Sequence, residues 1–285
     1  MSNKLLSGKL IAERLLNEVN YEIKSIISSN KRVPTLAVVL VGNNPASEVY
    51  VRNKKMTCVK VGINSQEFKL PDNVGQDELL KLIDTLNNNR EVDGILVQLP
   101  LPSHLSSKLV IDSISPNKDV DGFHRYNMGS LTLKDPTICP CTPHGIMYML
   151  DTLNIEFKGL HAIVIGSSNI VGRPMALELL NRGATITVCN SKTRNVVELA
   201  SSADILIAAV GVPKLLKANW VKDGAIVIDV GINRLDDGSL CGDVDFSSVI
   251  DKVRYITPVP GGVGLMTIAM LMKNTLFCYN LNNKN

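Results

Sequence analysis

The chain has 285 residues, 45% of them hydrophobic, 20% charged and only 4% aromatic, with a formal net charge of +3. That length exceeds what one small core organises and predicts two medium domains built on aliphatic packing. So small a positive charge gives no footprint for nucleic acid but does not oppose an anionic ligand, and no apolar run reaches the roughly 18–20 residues needed to cross a bilayer.

The opening segment, MSNKLLSGKLIAERLL, mixes acidic and basic residues and lacks the charged start, apolar core and cleavage site of a secretory leader. A cytoplasmic protein with no membrane partner is expected. Residues 5–30 read as a helix ending near SSNKRVP, and TLAVVLVG is a β-branched run of the kind that forms a buried parallel strand. After the loop VGNNPAS a second helix carries Tyr50 and Lys54 on one face. Read locally, that spacing fits either a solvated amphipathic surface or a reactive pair. INSQEFKLP reads as a strand, GQDELLKLIDTLNNN as a helix with an acidic first turn, and VDGILVQLP as another buried strand. The order β-α-β-α-β predicts a parallel sheet with right-handed crossovers, in which ligands sit at the carboxyl ends of the strands. VGNNPAS and QLPLP lie there, so Tyr50, Lys54 and Gln98 are expected to converge on one cleft.

The stretch SPNKDVDGFHRYNMGSL, followed by PTICPCTPHG, has little periodicity and reads as an ordered connection between halves, with Asp119 and Asp121 close together in it. A helix, GIMYMLDTLN, leads into the second half. There HAIVIGSSNIVGRPMALELLNRGATITVCNSKT gives strand, glycine turn, helix and strand within one βαβ length. Gly166 and Gly172 stand where a dinucleotide turn needs a tight bend and a close helix approach, and Ser168 replaces the middle glycine. Such a turn is either an ordinary βα connection or a phosphate site made of backbone amides, with Ser168 adding a hydroxyl. The next strand ends in CNSKT, so Ser191 and Lys192 stand where NAD-binding folds usually offer a carboxylate; that composition favours NADP. ADILIAAVG and GAIVIDVGI continue the open sheet, and MTIAMLMKNTLFCYNL reads as a buried final helix. The six cysteines show no paired CxxC spacing and are read as reduced thiols, mostly buried, with no metal expected.

Taken in order, YVRNK, DGILVQLPLP, PNKDVDGFH, CTPHGIM, VIGSSNIVGRPM, GDVDF and TPVPGGVG resemble the bifunctional methylenetetrahydrofolate dehydrogenase/methenyltetrahydrofolate cyclohydrolase family over almost the whole chain. The resemblance implies an α/β fold of two domains with a cleft between them. An N-terminal folate-binding, catalytic domain covers residues 1–143, rejoined by the last helix at 265–282, and a Rossmann-type parallel-sheet domain covers 144–264. It implies that Lys54 is the catalytic acid and base, that Gln98 contacts and tunes it, and that Asp121 binds the pterin and shares in catalysis. It further implies substrate contacts from Tyr50, Val97 and Leu99, closure over the folate by Pro258, Val259, Pro260, Gly261 and Gly262, and cofactor contacts from Gly166, Ser167, Ser168, Ser191 and Ile232, to which the composition of CNSKT adds Lys192. A homodimer formed through the second domain is also implied.

These residue types suit the implied chemistry. Hydride transfer from 5,10-methylene-tetrahydrofolate to NADP needs mainly positioning. Hydrolysis of the resulting methenyl cation to 10-formyl-tetrahydrofolate needs a proton acceptor near neutrality, and desolvation beside a substrate cation favours the neutral form of an amine. The chain departs from the family at several points. Leu265 stands where many members have proline, Arg125 and Ser130 replace a proline and an arginine, Asn190 sits at a position that is often histidine, and Ser167 replaces an arginine that grips the 2′-phosphate in some members. Two other readings stay in view, a dehydrogenase without hydrolase activity and a silent folate- or dinucleotide-binding module.

Overall fold

A computed structural model of the chain describes residues 4–283. The chain divides into two compact units, one made of residues 13–141 and 268–283, the other of residues 4–12 and 142–267. The N-terminal segment, expected in the first domain, therefore belongs to the second unit. The cause is backbone pairing: Leu6 N donates to Ile256 O at 2.9 Å and Lys9 N to Gly261 O at 3.1 Å. The chain passes between units within α1 (Gly8–Ser28), α6 (Cys141–Asp151) and α10 (Val263–Asn282).

In the first unit, β1 (Thr35–Val41) is the middle strand of a parallel sheet of order β2-β1-β3, with β2 at Asn64–Leu70 and β3 at Gly94–Val97. All seven residues of β1 are buried, which explains why its sequence is a continuous aliphatic run rather than an alternation. Between strands run α2 (Pro45–Val61) and α3 (Gln76–Asn88). Asn44 starts α2, its side chain accepting from Ala46 N at 3.0 Å and Ser47 N at 3.1 Å, with Pro45 in the first turn. Gly62 ends it at φ 87°, a left-handed conformation that glycine adopts freely. On α3, Leu79, Ile83 and Leu86 fall on one face and pack against Ala37, Val39, Ile95 and Val97. Each such aliphatic side chain stabilises the fold by roughly 1.5–3 kcal/mol.

The connection at 103–140 is more regular than its composition predicts. It holds α4 (Ser107–Ser113), capped by the Ser106 hydroxyl, a 3₁₀ turn at Pro116–Lys118 and α5 (Arg125–Thr132). Periodicity is weak in these pieces because long-range contacts set them. Lys118 Nζ donates to the carbonyls of Leu86, Asn87 and Asn89 at 3.1, 2.8 and 2.8 Å, closing the end of α3. Asn274 of α10 donates to Val120 O at 2.9 Å and Cys139 O at 3.0 Å, tying the loop's two ends to the last helix.

The second unit carries a five-stranded parallel sheet of order β10-β7-β6-β4-β5. Its elements in chain order are β4 (His161–Ile165), α7 (Gly172–Asn181), β5 (Thr185–Cys189), α8 (Val196–Ala200), β6 (Ile205–Ala208) and β7 (Ile226–Asp229). A small antiparallel hairpin of β8 (Asn233–Arg234) and β9 (Leu240–Cys241) follows, then α9 (Phe246–Val249) and β10 (Tyr255–Ile256). β4, β6 and β7 are almost wholly buried, and one side of the sheet packs Ile163, Ile165, Leu206, Ala208 and Val227 into a common core.

Candidate functional site

The helix that raises Tyr50 and Lys54 is fixed at both ends by its caps, and it sets Lys54 into the interior at only 8% exposure. Lys54 Nζ donates to Gln98 Oε1 at 3.0 Å. Gln98 follows β3 and continues its ladder, its N–H donating to Val39 O at 2.9 Å. Its side-chain Nε2 donates to the Leu99 carbonyl at 2.6 Å. Turning that amide over would set oxygen against oxygen at Leu99 and N–H against the amine, so Gln98 presents an acceptor to Lys54. Tyr50, one turn earlier on α2, is about one-third exposed, and burial raises its hydroxyl pKa.

The two aspartates of DVDG divide the work of their loop. Asp119 is buried and accepts from His124 N at 2.8 Å, Asn127 Nδ2 at 2.8 Å and Gly122 N at 3.2 Å, so it builds the turn. Gly122 has φ +77°, and a Cβ there would lie 2.6 Å from the Cys139 carbonyl carbon. Asp121 is half-buried; its backbone carbonyl accepts from Cys141 N at 3.3 Å, but its carboxylate accepts no hydrogen bond from the described residues. Burial pushes its carboxyl up to about 6; the positive charge of Lys54 pulls it down, and Asp119 pushes it up. Tyr50, Lys54, Val97, Gln98, Leu99 and Asp121 thus all lie in the first unit, with a buried amine, its oriented acceptor and an unsatisfied carboxylate within electrostatic reach of one another.

The loop Pro258–Gly262 lies in the second unit, at the entry to α10, where a Cβ on Gly8 would overlap the Gly262 carbonyl oxygen at 2.0 Å. The remaining residues expected to contact a cofactor gather at the carboxyl ends of the second sheet. Gly166 N donates to Cys189 O at 2.9 Å, which sets the turn after β4 beside Asn190, Ser191 and Lys192 after β5. Gly166 has φ +120°; a Cβ there would stand 2.1 Å from Ala209 O, and one on Gly172 would stand 2.0 Å from Gly166 O. That close approach of backbone to backbone is the cradle a dinucleotide phosphate requires, so the residues fit the cofactor. The Ser168 hydroxyl accepts from Val171 N at 3.2 Å and Gly172 N at 3.3 Å, so two amides at the start of α7 are already used, and Ser168 itself is exposed. Ser191 and Lys192 are exposed on a turn fixed by Asn190, whose Oδ1 accepts from Lys192 N at 2.9 Å. Ile232 is 43% exposed on the segment after β7.

Sequence reasoning missed the roles of Asn274, Asp229 and Asp243. Asp229 is pushed up to about 6 by burial, although the backbone N–H groups of Val244, Asp243 and Gly231 pull the other way. The run IDVGIN and the motif GDVDF were visible, but nothing local says that they bond each other.

A family model described as tetrahydrofolate dehydrogenase/cyclohydrolase, catalytic domain, matches residues 6–121, and one described as tetrahydrofolate dehydrogenase/cyclohydrolase, NAD(P)-binding domain, matches residues 140–283. A curated relative, the bifunctional protein FolD of Neisseria gonorrhoeae, is 54% identical over 283 residues, 99% of this chain and 100% of the relative. The solved FolD methylenetetrahydrofolate dehydrogenase/cyclohydrolase of Campylobacter jejuni matches with a TM-score of 0.95 and 48% identity, covering 97% of this chain and 98% of that one. The Trypanosoma brucei enzyme, solved with NADP cofactor and an inhibitor, matches with a TM-score of 0.95 at 34% identity, covering 99% and 98%.

Proposed function

This chain belongs to the tetrahydrofolate dehydrogenase/cyclohydrolase family, and from that premise we propose that Lys54 carries the hydrolytic half of its reaction while the glycine cradle of the second unit holds NADP for the oxidative half. The protein is a bifunctional enzyme that oxidises 5,10-methylene-tetrahydrofolate to 5,10-methenyl-tetrahydrofolate and hydrolyses that cation to 10-formyl-tetrahydrofolate.

NADP, when bound, takes up the hydride that leaves the methylene carbon. Gly166 and Gly172 let the backbone approach its phosphates, Ser167, Ser168, Ser191 and Lys192 supply donors and a positive charge, and Ile232 adds an apolar contact. In the hydrolytic half, water adds to the methenyl carbon and gives up a proton to the Lys54 amine. The resulting ammonium then returns a proton to the departing ring nitrogen as that C–N bond breaks, while the hydroxyl of the adduct gives up its remaining proton to solvent as the C=O forms; the formyl group stays on the other nitrogen and one proton is released in all. Gln98 Oε1 takes one N–H of Lys54, so the amine is oriented by a fixed partner. Asp121 offers its free carboxylate to the N–H groups of the pterin, Tyr50 its ring to the aromatic part of the folate, and Val97 and Leu99 flank Gln98. Pro258, Val259, Pro260, Gly261 and Gly262 are assigned further folate contacts on the family resemblance alone.

The observation that carries this reading is the Lys54–Gln98 bond, a buried amine held by an amide that is itself locked. The test follows methenyl absorbance when methylene-tetrahydrofolate is mixed with NADP or NAD, comparing the parent with Lys54→Met. The expected result is a transient signal in the parent that accumulates in the variant, with hydrolysis slowed by roughly 10²–10⁴ and NADP preferred. Binding of both ligands without reduction of either nucleotide would leave only a binding module.

A cytoplasmic homodimer joined through the second unit completes the proposal. Strand β5, outermost in its sheet and partly exposed, supports the pairing surface, and sedimentation of the purified protein tests it. Five of six free thiols are buried, and no described helix is long and apolar enough to cross a membrane.

A further inference from the structure

Two buried carboxylates beneath the second sheet's carboxyl edge join three loops that are far apart in sequence. Asp229 ends β7; its Oδ1 accepts from Gly231 N at 3.1 Å and Asp243 N at 2.9 Å, and its Oδ2 from Val244 N at 2.9 Å. Asp243, at 0% exposure, reaches further. Its Oδ2 accepts from Val210 N at 2.7 Å and Gly211 N at 3.0 Å, and its Oδ1 from Asn233 Nδ2 at 2.9 Å. The packing leaves no room for change: a Cβ on Gly231 would lie 2.1 Å from Asp243 Oδ1, and one on Gly242 would lie 1.8 Å from Asp229 Oδ2.

Each end of this web holds a segment next in the chain to one that serves the expected cofactor site. Val210 and Gly211 directly follow Ala209, whose carbonyl oxygen sits where a side chain on Gly166 would have to go. Asn233 directly follows Ile232. One side chain therefore fixes the backbone that closes against the phosphate turn and, at the same time, the segment that presents Ile232. Asp243 itself, wholly buried and with both oxygens taken, is not placed to touch a ligand.

We infer that Asp243 is a positioning residue for NADP, which sets cofactor affinity by holding the Val210–Gly211 and Ile232–Asn233 segments in register around the Gly166 turn. The inference rests on the reading of the second unit as the NADP-binding unit. It separates the two activities of the protein. Hydrolysis of methenyl-tetrahydrofolate supplied directly needs no NADP, so loosening this web weakens cofactor binding without touching the Lys54 chemistry.

The test uses two variants of the full chain. Asp243→Ala strands the N–H groups of Val210 and Gly211, and NADP affinity measured by titration calorimetry on the folate-free protein is expected to fall about tenfold or more. Asp243→Asn keeps an oxygen for both N–H groups, and the Asn233 amide can turn to accept from the new NH₂, so affinity is expected to return to within about threefold of the parent. In both variants kcat for hydrolysis of supplied methenyl-tetrahydrofolate is expected to stay at the parent value, while the dehydrogenase KM for NADP follows the calorimetric constant. Equal loss of both activities in Asp243→Ala assigns the residue to general stability and overturns the inference, as does unchanged NADP affinity. A parent protein that binds no NADP removes the underlying reading as well.

Discussion

The two sheets solve the problem of holding a ligand at their carboxyl ends in opposite ways. In the first unit the groups proposed to work are side chains: an amine, an amide and a carboxylate, carried on a capped helix, a strand end and a turn. In the second they are mainly backbone, with Gly166 and Gly172 selected because nothing larger fits, and with aspartates used to tie loops together. The difference teaches where each unit is fragile. Removing a side chain in the first is expected to abolish chemistry and spare the fold, whereas adding one in the second is expected to damage the fold and the binding together.

The sharpest way to break this contrast is Gly166→Val. Its side chain meets Ala209 O at 2.1 Å from a backbone at φ +120°, so the expected cost is about 3 kcal/mol or more. NADP binding should vanish by calorimetry and the denaturation midpoint should drop; retention of both would show that the turn yields easily. Gln98→Glu probes the first unit without changing its shape. A carboxylate beside Lys54 favours the ammonium form, and hydrolysis at neutral pH is expected to fall by about ten- to a hundredfold. The pH–rate profile for hydrolysis should move to the alkaline side, and a profile that stays in place would refute a base role for the amine.

Asp121→Asn sets function against stability. The Asp121 carboxyl is raised from 3.8 to about 6 in the folded protein, so its contribution to stability is fully present below about pH 4 and is lost as pH rises through about 6. The variant is expected to be about 1–3 kcal/mol more stable than the parent at pH 7 while losing activity, and to show a shallower fall in stability between pH 4 and 6. Asp229, raised in the same direction, keeps part of that slope in the variant. Urea melts at the two pH values decide it; a less stable variant at pH 7 would mean that the carboxylate has a structural partner. The smallest effect is Asn44→Ala, which removes the cap of α2 and should cost about 1 kcal/mol in the same melts, with hydrolysis by the folded protein nearly unchanged.

Much of the fold was legible because its signals are local. β1 and β3 are aliphatic since both faces are covered, and α3 shows its core face as Leu79, Ile83 and Leu86. The strand, turn and helix around Gly166 were visible for the same reason. What stayed hidden depends on distance along the chain. α5 follows a cap residue, His124, whose backbone N–H is held by Asp119, and its composition reads as loop until that contact exists. The pairing of Lys54 with Gln98 follows from strand order rather than pattern, and their roles came from resemblance and not from spacing. Asp243 stood in a quoted motif, yet its partners Val210 and Gly211 lie 33 and 32 positions earlier.

The bonds from Asn274 to Val120 and Cys139 have a consequence for how the protein is made. On the ribosome the first sheet emerges early, but the loop bearing Asp121 has two carbonyls waiting for an amide that is translated after the entire second sheet. The nascent chain can therefore assemble the strand and helix that carry Lys54 long before it can finish the turn beside them. That turn gains its last two bonds only once Asn274 has been made, so a product stalled before it is a nearly complete chain with two unpaired carbonyls in the loop that bears Asp121.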